Sequence, residues 1–196
     1  MRNHDEPSRL RSTSQRQGFT IIELLMVVVV VGILTAIVMP KFKISAETEV
    51  QLAAMQLAQD IDLARTRALT TRSQSRVTFS SSAREYSGYL DEDDDGTIGQ
   101  TAAERLALRG FDTRPLPIRI SFGRGTAPSA PDDAGAGAIT FANARVDFDA
   151  RGLTWPMGSG GTVYLEHEVT KSAVAAIVVS PSGSVRLWSW RNGAWQ

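Results

Sequence analysis

The chain has 196 residues, with 21 basic and 21 acidic side chains, 42% hydrophobic residues and no cysteine. This even balance gives no sign of the strongly basic surface that usually accompanies nucleic-acid binding, and the missing cysteine excludes disulfide and thiol chemistry. The length suits a single domain of ordinary size once the N-terminal segment is set aside.

A long apolar run follows the basic N-terminal segment, which ends in Gly18. Residues 19–39 contain one charged side chain, Glu23. As a helix they would be roughly 31 Å long, close to the hydrocarbon thickness of a bilayer. The arginines ahead of this run indicate that its N-terminal end lies on the cytoplasmic side. We therefore predict a membrane-spanning helix over 19–39.

Two simpler interpretations of this run are weaker. A secretory signal peptide would have a shorter apolar region and a cleavage site between small residues, and the residues around Thr35 and Ala36 offer no convincing site. A plain signal anchor would explain the apolar length but not Glu23. A carboxylate in lipid costs several kcal/mol unless it is paired or neutralised. Glu23 therefore needs a positively charged partner.

The sequence Gly18-Phe-Thr-Ile-Ile-Glu23 resembles the class III signal of type IV prepilins and type II secretion pseudopilins. The resemblance implies that a prepilin peptidase cuts between Gly18 and Phe19, that Phe19 is then N-methylated, and that Glu23 directs filament assembly. The new amine of Phe19, on the same or a neighbouring subunit, would be the partner of Glu23.

The same resemblance implies the organisation of the whole chain. Residues 1–18 would be a leader peptide, 19–39 a transmembrane or filament-core helix, and 40–196 a periplasmic domain. The protein would be a single-pass component of the bacterial inner membrane that assembles with other pseudopilins or minor pilins.

An amphipathic segment follows Pro40. Its apolar residues, spaced by four and three, are Val50, Ala54, Leu57, Ile61, Ala64 and Ala68. This spacing predicts a helix with one stripe that packs on a sheet. Because proline can bend a helix without ending it, we predict one long kinked helix from Phe19 to about Thr71.

From Arg76 onward, short runs rich in β-branched and aromatic residues predict strands. The runs are 77–80, 86–90, 118–122, 138–141, 146–148, 162–166, 175–180 and 185–190. Turns are predicted at 149–152 and 181–183, the second within a hairpin. The Gly, Ala and Pro tract at 123–137 has few large apolar residues and predicts a mobile surface loop.

Three segments resemble the H-type minor pseudopilins of type II secretion (GspH) and the related FimT minor pilins. They are 57–68, 146–152 and 177–186. The resemblance implies an α+β, type IV pilin-like fold in which a long kinked N-terminal helix packs on antiparallel β-sheet. It favours a minor pseudopilin of type II secretion, with a FimT-like minor pilin of a type IV pilus, which could contact DNA, as the alternative. The sequence does not separate these two machines.

The acidic run Asp91-Glu-Asp-Asp-Asp-Gly96 fits the first half of an EF-hand loop, with Asp91, Asp93 and Asp95 at alternate positions. The second half does not fit, because the twelfth position is Ala102 and Glu104 comes two residues late. A Ca²⁺ site and a solvated acidic turn both remain open.

The C-terminal segment 185–195 contains Arg186, Arg191 and three tryptophans. These residues could bind single-stranded DNA through phosphate contacts and base stacking, or they could contact a neighbouring subunit. Simple strand alternation, with Val185 and Leu187 facing inward, also explains much of the pattern.

No catalytic arrangement is recognisable. His167 has no second histidine beyond the leader, where His4 lies, so a zinc site lacks ligands. We find no nucleophile with an adjacent base and no glycine-rich phosphate loop. The sequence predicts a protein that is not an enzyme.

Overall fold

The computed structural model describes residues 18–38, 45–133 and 135–196. The chain divides into two compact units, Met1–Lys43 and Ile44–Gln196, which we describe separately. The helices are α1 (Ile21–Val38), α2 (Ala46–Thr71) and α3 (Ala102–Ala107), with a 3₁₀ turn at Ala142–Ala144. The strands are β1 (Ser75–Ser80), β2 (Glu85–Leu90), β3 (Thr113–Pro115), β4 (Ile120–Phe122), β5 (Arg145–Phe148), β6 (Thr154–Trp155), β7 (Gly161–His167), β8 (Val174–Val179), β9 (Val185–Arg191) and β10 (Ala194–Trp195).

In the first unit, α1 is apolar on every face. Its large side chains are exposed by fractions that run from 49% at Val30 to 88% at Ile21. A helix that is hydrophobic all round is normally buried in protein or lipid. Within the described residues, no helix combines the length and apolarity needed to cross a membrane. The predicted span 19–39 ends at Met39, which lies outside the described residues.

The second unit begins with α2, and its start corrects the prediction of one unbroken helix. Ser45 has extended backbone angles (φ −72°, ψ 152°), and its hydroxyl accepts a hydrogen bond from Thr48 N at 3.3 Å. This N-cap satisfies an amide that has no partner within the helix. The continuous helix from Phe19 to Thr71 is therefore wrong at Ser45, and the predicted bend at Pro40 lies outside the described residues.

Two five-stranded antiparallel sheets flank α2. Their strand orders are β3-β2-β1-β5-β6 and β10-β9-β8-β7-β4. The predicted apolar stripe of α2 is confirmed, because every member from Val50 to Ala68 is no more than 1% exposed and lies in the main core with residues of both sheets. The predicted α+β class, a helix followed by antiparallel sheet, is confirmed.

The strand predictions hold with local exceptions. The run 138–141 is not a strand and contains only a bridge between Ile139 and Val163. The run predicted from Ile118 starts at Ile120, because Ile120 N donates to Pro117 O in a turn. The helix α3 and the short edge strands β3, β6 and β10 are not predicted by the sequence pattern.

The predicted mobile surface loop is corrected for the described part of 123–137. Ala127 and Ala130 are buried, and they pack in a second cluster with Tyr164 and the outer face of β8. Ala130 N donates to Tyr164 Oη at 2.8 Å, and Trp195 Nε1 donates to Ser129 O at 3.0 Å. A tract with few large apolar residues builds no core of its own, but Ala127 and Ala130 pack in a cluster whose large side chains come from distant parts of the chain. Strand β8 is consequently buried on both faces.

The three sequence segments that resemble GspH meet in space. Arg65 of α2 donates from Nε to Gly152 O at 2.9 Å. The turn at 181–183 comes close to the same two groups. A Cβ on Gly183 would lie 2.8 Å from Arg65 Nε and 2.2 Å from Gly152 O. Thr154 Oγ1 also donates to Pro181 O at 3.0 Å. The three segments therefore share one structural junction, which we call the Arg65 junction.

Candidate functional site

The predicted processing site lies just before α1. Gly18 is exposed, and a Cβ built on it meets nothing within 4 Å. Phe19 is 81% exposed. The described structure thus gives no steric reason for glycine at position 18, and both residues flanking the predicted cut are accessible.

Thr20 and Glu23 form the first turn of α1. Glu23 N donates to Thr20 Oγ1 at 3.2 Å, and Leu24 N donates to Thr20 O at 3.2 Å. Thr20 is therefore the N-cap, and Glu23 stands at the third helical position, which is where a capping box carries Glu or Gln. A carboxylate there also interacts favourably with the helix dipole. Glu23 thus has a local role in helix initiation besides the assembly role that the resemblance implies.

The acidic loop, residues 91–100, connects β2 to α3. Oxygen atoms of Asp91, Asp93 and Asp95 all lie within 4.8 Å of one another. Asp91 is only 1% exposed, whereas the other two carboxylates are exposed. Gly96 has φ +79°, a conformation that glycine adopts without strain, and its N–H donates to Asp91 Oδ2 at 3.0 Å. The structure therefore brings the three predicted ligands together.

The second oxygen of Asp91, Oδ1, is buried and has no hydrogen-bond donor among the described residues. The pKa of Asp91 is raised above its ordinary value, chiefly because the carboxyl is buried. The hydrogen bond from Gly96 N opposes this rise in part, and the nearby carboxylates of Asp93 and Asp95 add to it. A carboxyl whose folded-state pKa is raised costs stability once it ionises, so the native state loses stability as the pH rises through that pKa.

Glu104 is engaged elsewhere. Its carboxylate accepts hydrogen bonds from Thr101 N at 2.7 Å and Gly99 N at 2.9 Å, and Glu104 N donates back to Thr101 Oγ1 at 3.3 Å. Burial alone would raise the pKa of Glu104, but these bonds lower it below its ordinary value. Thr101 and Glu104 are the capping box of α3, and this pattern in the sequence could have predicted the helix that was missed.

The two arginines predicted to bind DNA lie on opposite faces of β9. Arg186 Nη1 is 3.5 Å from Asp132 Oδ2, on the side covered by the loop 124–133. Arg191 donates from Nη2 to Gln51 of α2, on the other side. Their separation by five residues in an extended strand places them on different faces. The structure does not bring these two residues together.

The three tryptophans that could stack on bases make contacts within the protein. Trp188, Trp190 and Trp195 are partly buried against the second cluster. The ring centroids of Trp190 and Trp195 are 5.3 Å apart, and Trp195 lies 6.1 Å from Tyr164. Val185 and Leu187 pack against the main core, as strand alternation predicted.

His167 is a buried structural residue. Its Nδ1 accepts a hydrogen bond from Thr170 N at 3.0 Å, and its Nε2 lies 3.5 Å from Glu49 Oε2 of α2. Both ring nitrogens are thus occupied by contacts that join β7 to its neighbours.

A helix followed by antiparallel sheets places the chain in the pilin-like class of α+β proteins. The prokaryotic N-terminal methylation motif matches residues 13–39. The type II transport protein GspH family matches residues 53–183, which is more than half of the chain. The chain belongs to the GspH family of type II transport proteins.

Solved structures with similar folds come from two machines. The minor pseudopilin EpsH of the type 2 secretion system of Vibrio cholerae has a TM-score of 0.48 and 12% identity, over 72% of this chain and 97% of that chain. The type IV minor pilin FimU of Pseudomonas aeruginosa has a TM-score of 0.46 and 16% identity, over 71% of this chain and 87% of that chain. No curated protein matches the chain.

Proposed function

We propose that the chain is a minor pseudopilin of a type II secretion system, a non-enzymatic subunit of the pseudopilus that supports protein export across the outer membrane. The observation that carries this proposal is that one chain combines the methylation motif at 13–39 with the GspH match at 53–183.

Processing is the first step of the proposed mechanism. A prepilin peptidase removes residues 1–18 by cutting between Gly18 and Phe19, and Phe19 is then N-methylated. The exposure of both residues and the open space around Gly18 support access by the peptidase. The cut creates a positively charged amine close in sequence to Glu23.

Anchoring and assembly follow. The all-round apolar surface of α1 is unfavourable in water, so residues 19–39 enter the inner membrane and later pack against equivalent helices in the filament. Glu23 enters the membrane and the filament as part of this segment. In lipid or in a filament core its charge is tolerated only with a cationic partner, which the processed Phe19 of a neighbouring subunit supplies. The domain 40–196 lies in the periplasm.

The domain serves as a structural module in this proposal. Two clusters of buried polar side chains hold its elements together. Asp60 of α2 accepts from Tyr86 Oη at 2.6 Å and lies 3.0 Å from Arg114 Nε, while Arg76 and Asp147 form a bidentate ion pair of 2.7 and 2.9 Å between β1 and β5. Groups occupied in this way support a scaffold rather than a catalyst.

The substitution Glu23→Gln tests the assembly role. Glutamine also serves in a capping box, so α1 and processing should be preserved while the charge is lost. We expect the variant to be cleaved and stably produced, but to be absent from the pseudopilus and to leave secretion as low as in a deletion strain. Quantitative proteomics of the culture medium and cross-linking of the native pseudopilus measure both results.

Glu23→Asp is the matched control, because it keeps the negative charge and should retain a substantial part of secretion. Wild-type secretion and incorporation by Glu23→Gln would contradict the proposed role of the charge.

The alternative is a FimT-like minor pilin of a type IV pilus that contacts DNA. It is supported by exposed Arg186 and Arg191 near the C-terminus. The same deletion strain distinguishes the two machines. Loss of piliation and DNA uptake with intact secretion would favour the minor pilin, and loss of secretion with normal pili would favour the pseudopilin.

A further inference from the structure

We propose that the carboxylates of Asp91, Asp93 and Asp95 bind a calcium ion, which ties the acidic loop to the end of β2. This site is independent of the proposed role in secretion, because it depends only on the domain.

The spacing of the three carboxylates suits calcium. Their oxygens lie within 4.8 Å of one another. Calcium binds oxygen ligands at about 2.3–2.6 Å, so two ligands of one ion are separated by at most about 4.6–5.2 Å. One ion can therefore contact all three side chains with little movement.

The Asp91 carboxylate gives the strongest support for a cation site. Its Oδ2 accepts from Gly96 N at 3.0 Å, but its Oδ1 is buried without a donor among the described residues. A buried carboxylate oxygen without a partner is costly, and so is a cluster of three like charges. A bound cation would satisfy the oxygen and neutralise the cluster. No basic side chain of the described residues forms an ion pair with these carboxylates.

The loop is fixed at both of its ends. Asp91 N donates to Gln74 O at 2.9 Å, and Ile98 O accepts from Arg76 Nη1 at 3.0 Å. The Arg76 side chain is itself held by Asp147. Because these contacts order the loop before any ion binds, binding loses less conformational entropy.

The same geometry predicts weak affinity. The twelfth position of an EF-hand, which normally supplies a bidentate Glu, is Ala102, and Glu104 is occupied as the cap of α3. Asp93 and Asp95 are also exposed, so water completes the coordination. We expect a dissociation constant on the order of 10⁻⁴ to 10⁻³ M, as in extracellular calcium modules.

Calcium titration of the EDTA-treated full chain in detergent tests the site. Calcium at about ten times the dissociation constant should raise the melting temperature by about 3–6 °C, since a ligand that binds only the folded state stabilises it. Isothermal titration calorimetry should show one ion per chain. Magnesium should give a smaller rise, because it dehydrates reluctantly and requires a more regular shell.

Asp91→Asn and Asp94→Asn form a matched pair. Each removes one negative charge from the acidic loop, but Asp94 is not a member of the cluster. Asp91→Asn should abolish the calcium shift while leaving the calcium-free melting temperature equal to or above that of the wild type, since asparagine can still accept from Gly96 N. Asp94→Asn should keep most of the shift.

Three results would overturn the site. The first is an unchanged wild-type melting temperature at 10 mM calcium. The second is an equal calcium shift in both variants, which would indicate general screening of the acidic loop. The third is a calcium-free Asp91→Asn chain that melts well below the wild type.

Discussion

Gly183 and Gly193 share a backbone conformation but differ in their surroundings. Their φ angles are +78° and +80°. A Cβ on Gly183 would lie 2.2 Å from Gly152 O at the Arg65 junction, whereas a Cβ on Gly193 meets nothing within 4 Å. We expect Gly183→Ala to lower the free energy of unfolding by about 3 kcal/mol or more, and Gly193→Ala by about 1 kcal/mol from backbone strain alone.

Chemical denaturation of the two glycine variants measures this difference. Because the conformational cost is shared, the comparison isolates the close approach at the Arg65 junction. Equal losses of stability would mean that the three GspH-like segments do not depend on this contact.

At the residue scale, spacing in the sequence indicates which carboxylates lie close together but not how deeply each is buried. The alternate spacing of Asp91, Asp93 and Asp95 correctly predicted that they would lie close together. It could not predict that Asp91 is buried, because that depends on strand β2 and on the distant hydrogen bond to Gln74. Strand alternation alone could have placed Arg186 and Arg191 on opposite faces, since they are five residues apart.

At the scale of elements, the loop 124–133 acts as a cover for β8. Arg124 lies 4.8 Å above the Tyr164 ring and donates to Gly135 O at 2.9 Å, while Trp195 holds Ser129 O. Folded protein should therefore resist trypsin at Arg124. We expect Trp195→Ala to accelerate cleavage there several-fold, because both the indole hydrogen bond and the ring contact with Tyr164 are lost.

Limited proteolysis with mass spectrometry of the fragments tests this prediction. Trp155→Ala is the control, since Trp155 is half-exposed and lies outside the second cluster. Rapid cleavage after Arg124 in the wild type, or equal rates in the two variants, would indicate that this loop is mobile.

The elements that were predicted well depend on local periodicity, and those that were missed depend on caps and on distant contacts. The stripe from Val50 to Ala68 is periodic and was placed correctly. The break at Ser45 and the start of α3 at Thr101 are set by single capping side chains, which the periodicity of the flanking residues does not reveal. The loop 124–133 is ordered by Tyr164 and Trp195, far away in sequence, so its own composition was misleading.

At the scale of the whole molecule, the two units differ in the surroundings that they need to be stable. The domain 45–196 contains its own core, and its buried polar pairs include Arg76 with Asp147 and Tyr86 with Asp60. The helix α1 exposes apolar side chains on every face and carries Glu23 in its first turn. Such a helix is favourable only in an apolar environment with a cationic partner, which is what processing and filament assembly would supply.

The N-terminus of the mature chain tests the central claim most directly. Mass spectrometry of the protein extracted from the membranes of its native host should show a chain that begins at a monomethylated Phe19. Replacing Gly18 by a bulky residue should leave the leader attached, although the structure has room for a side chain there. A mature chain that retains Met1, or one cut beyond Ala36, would contradict the account.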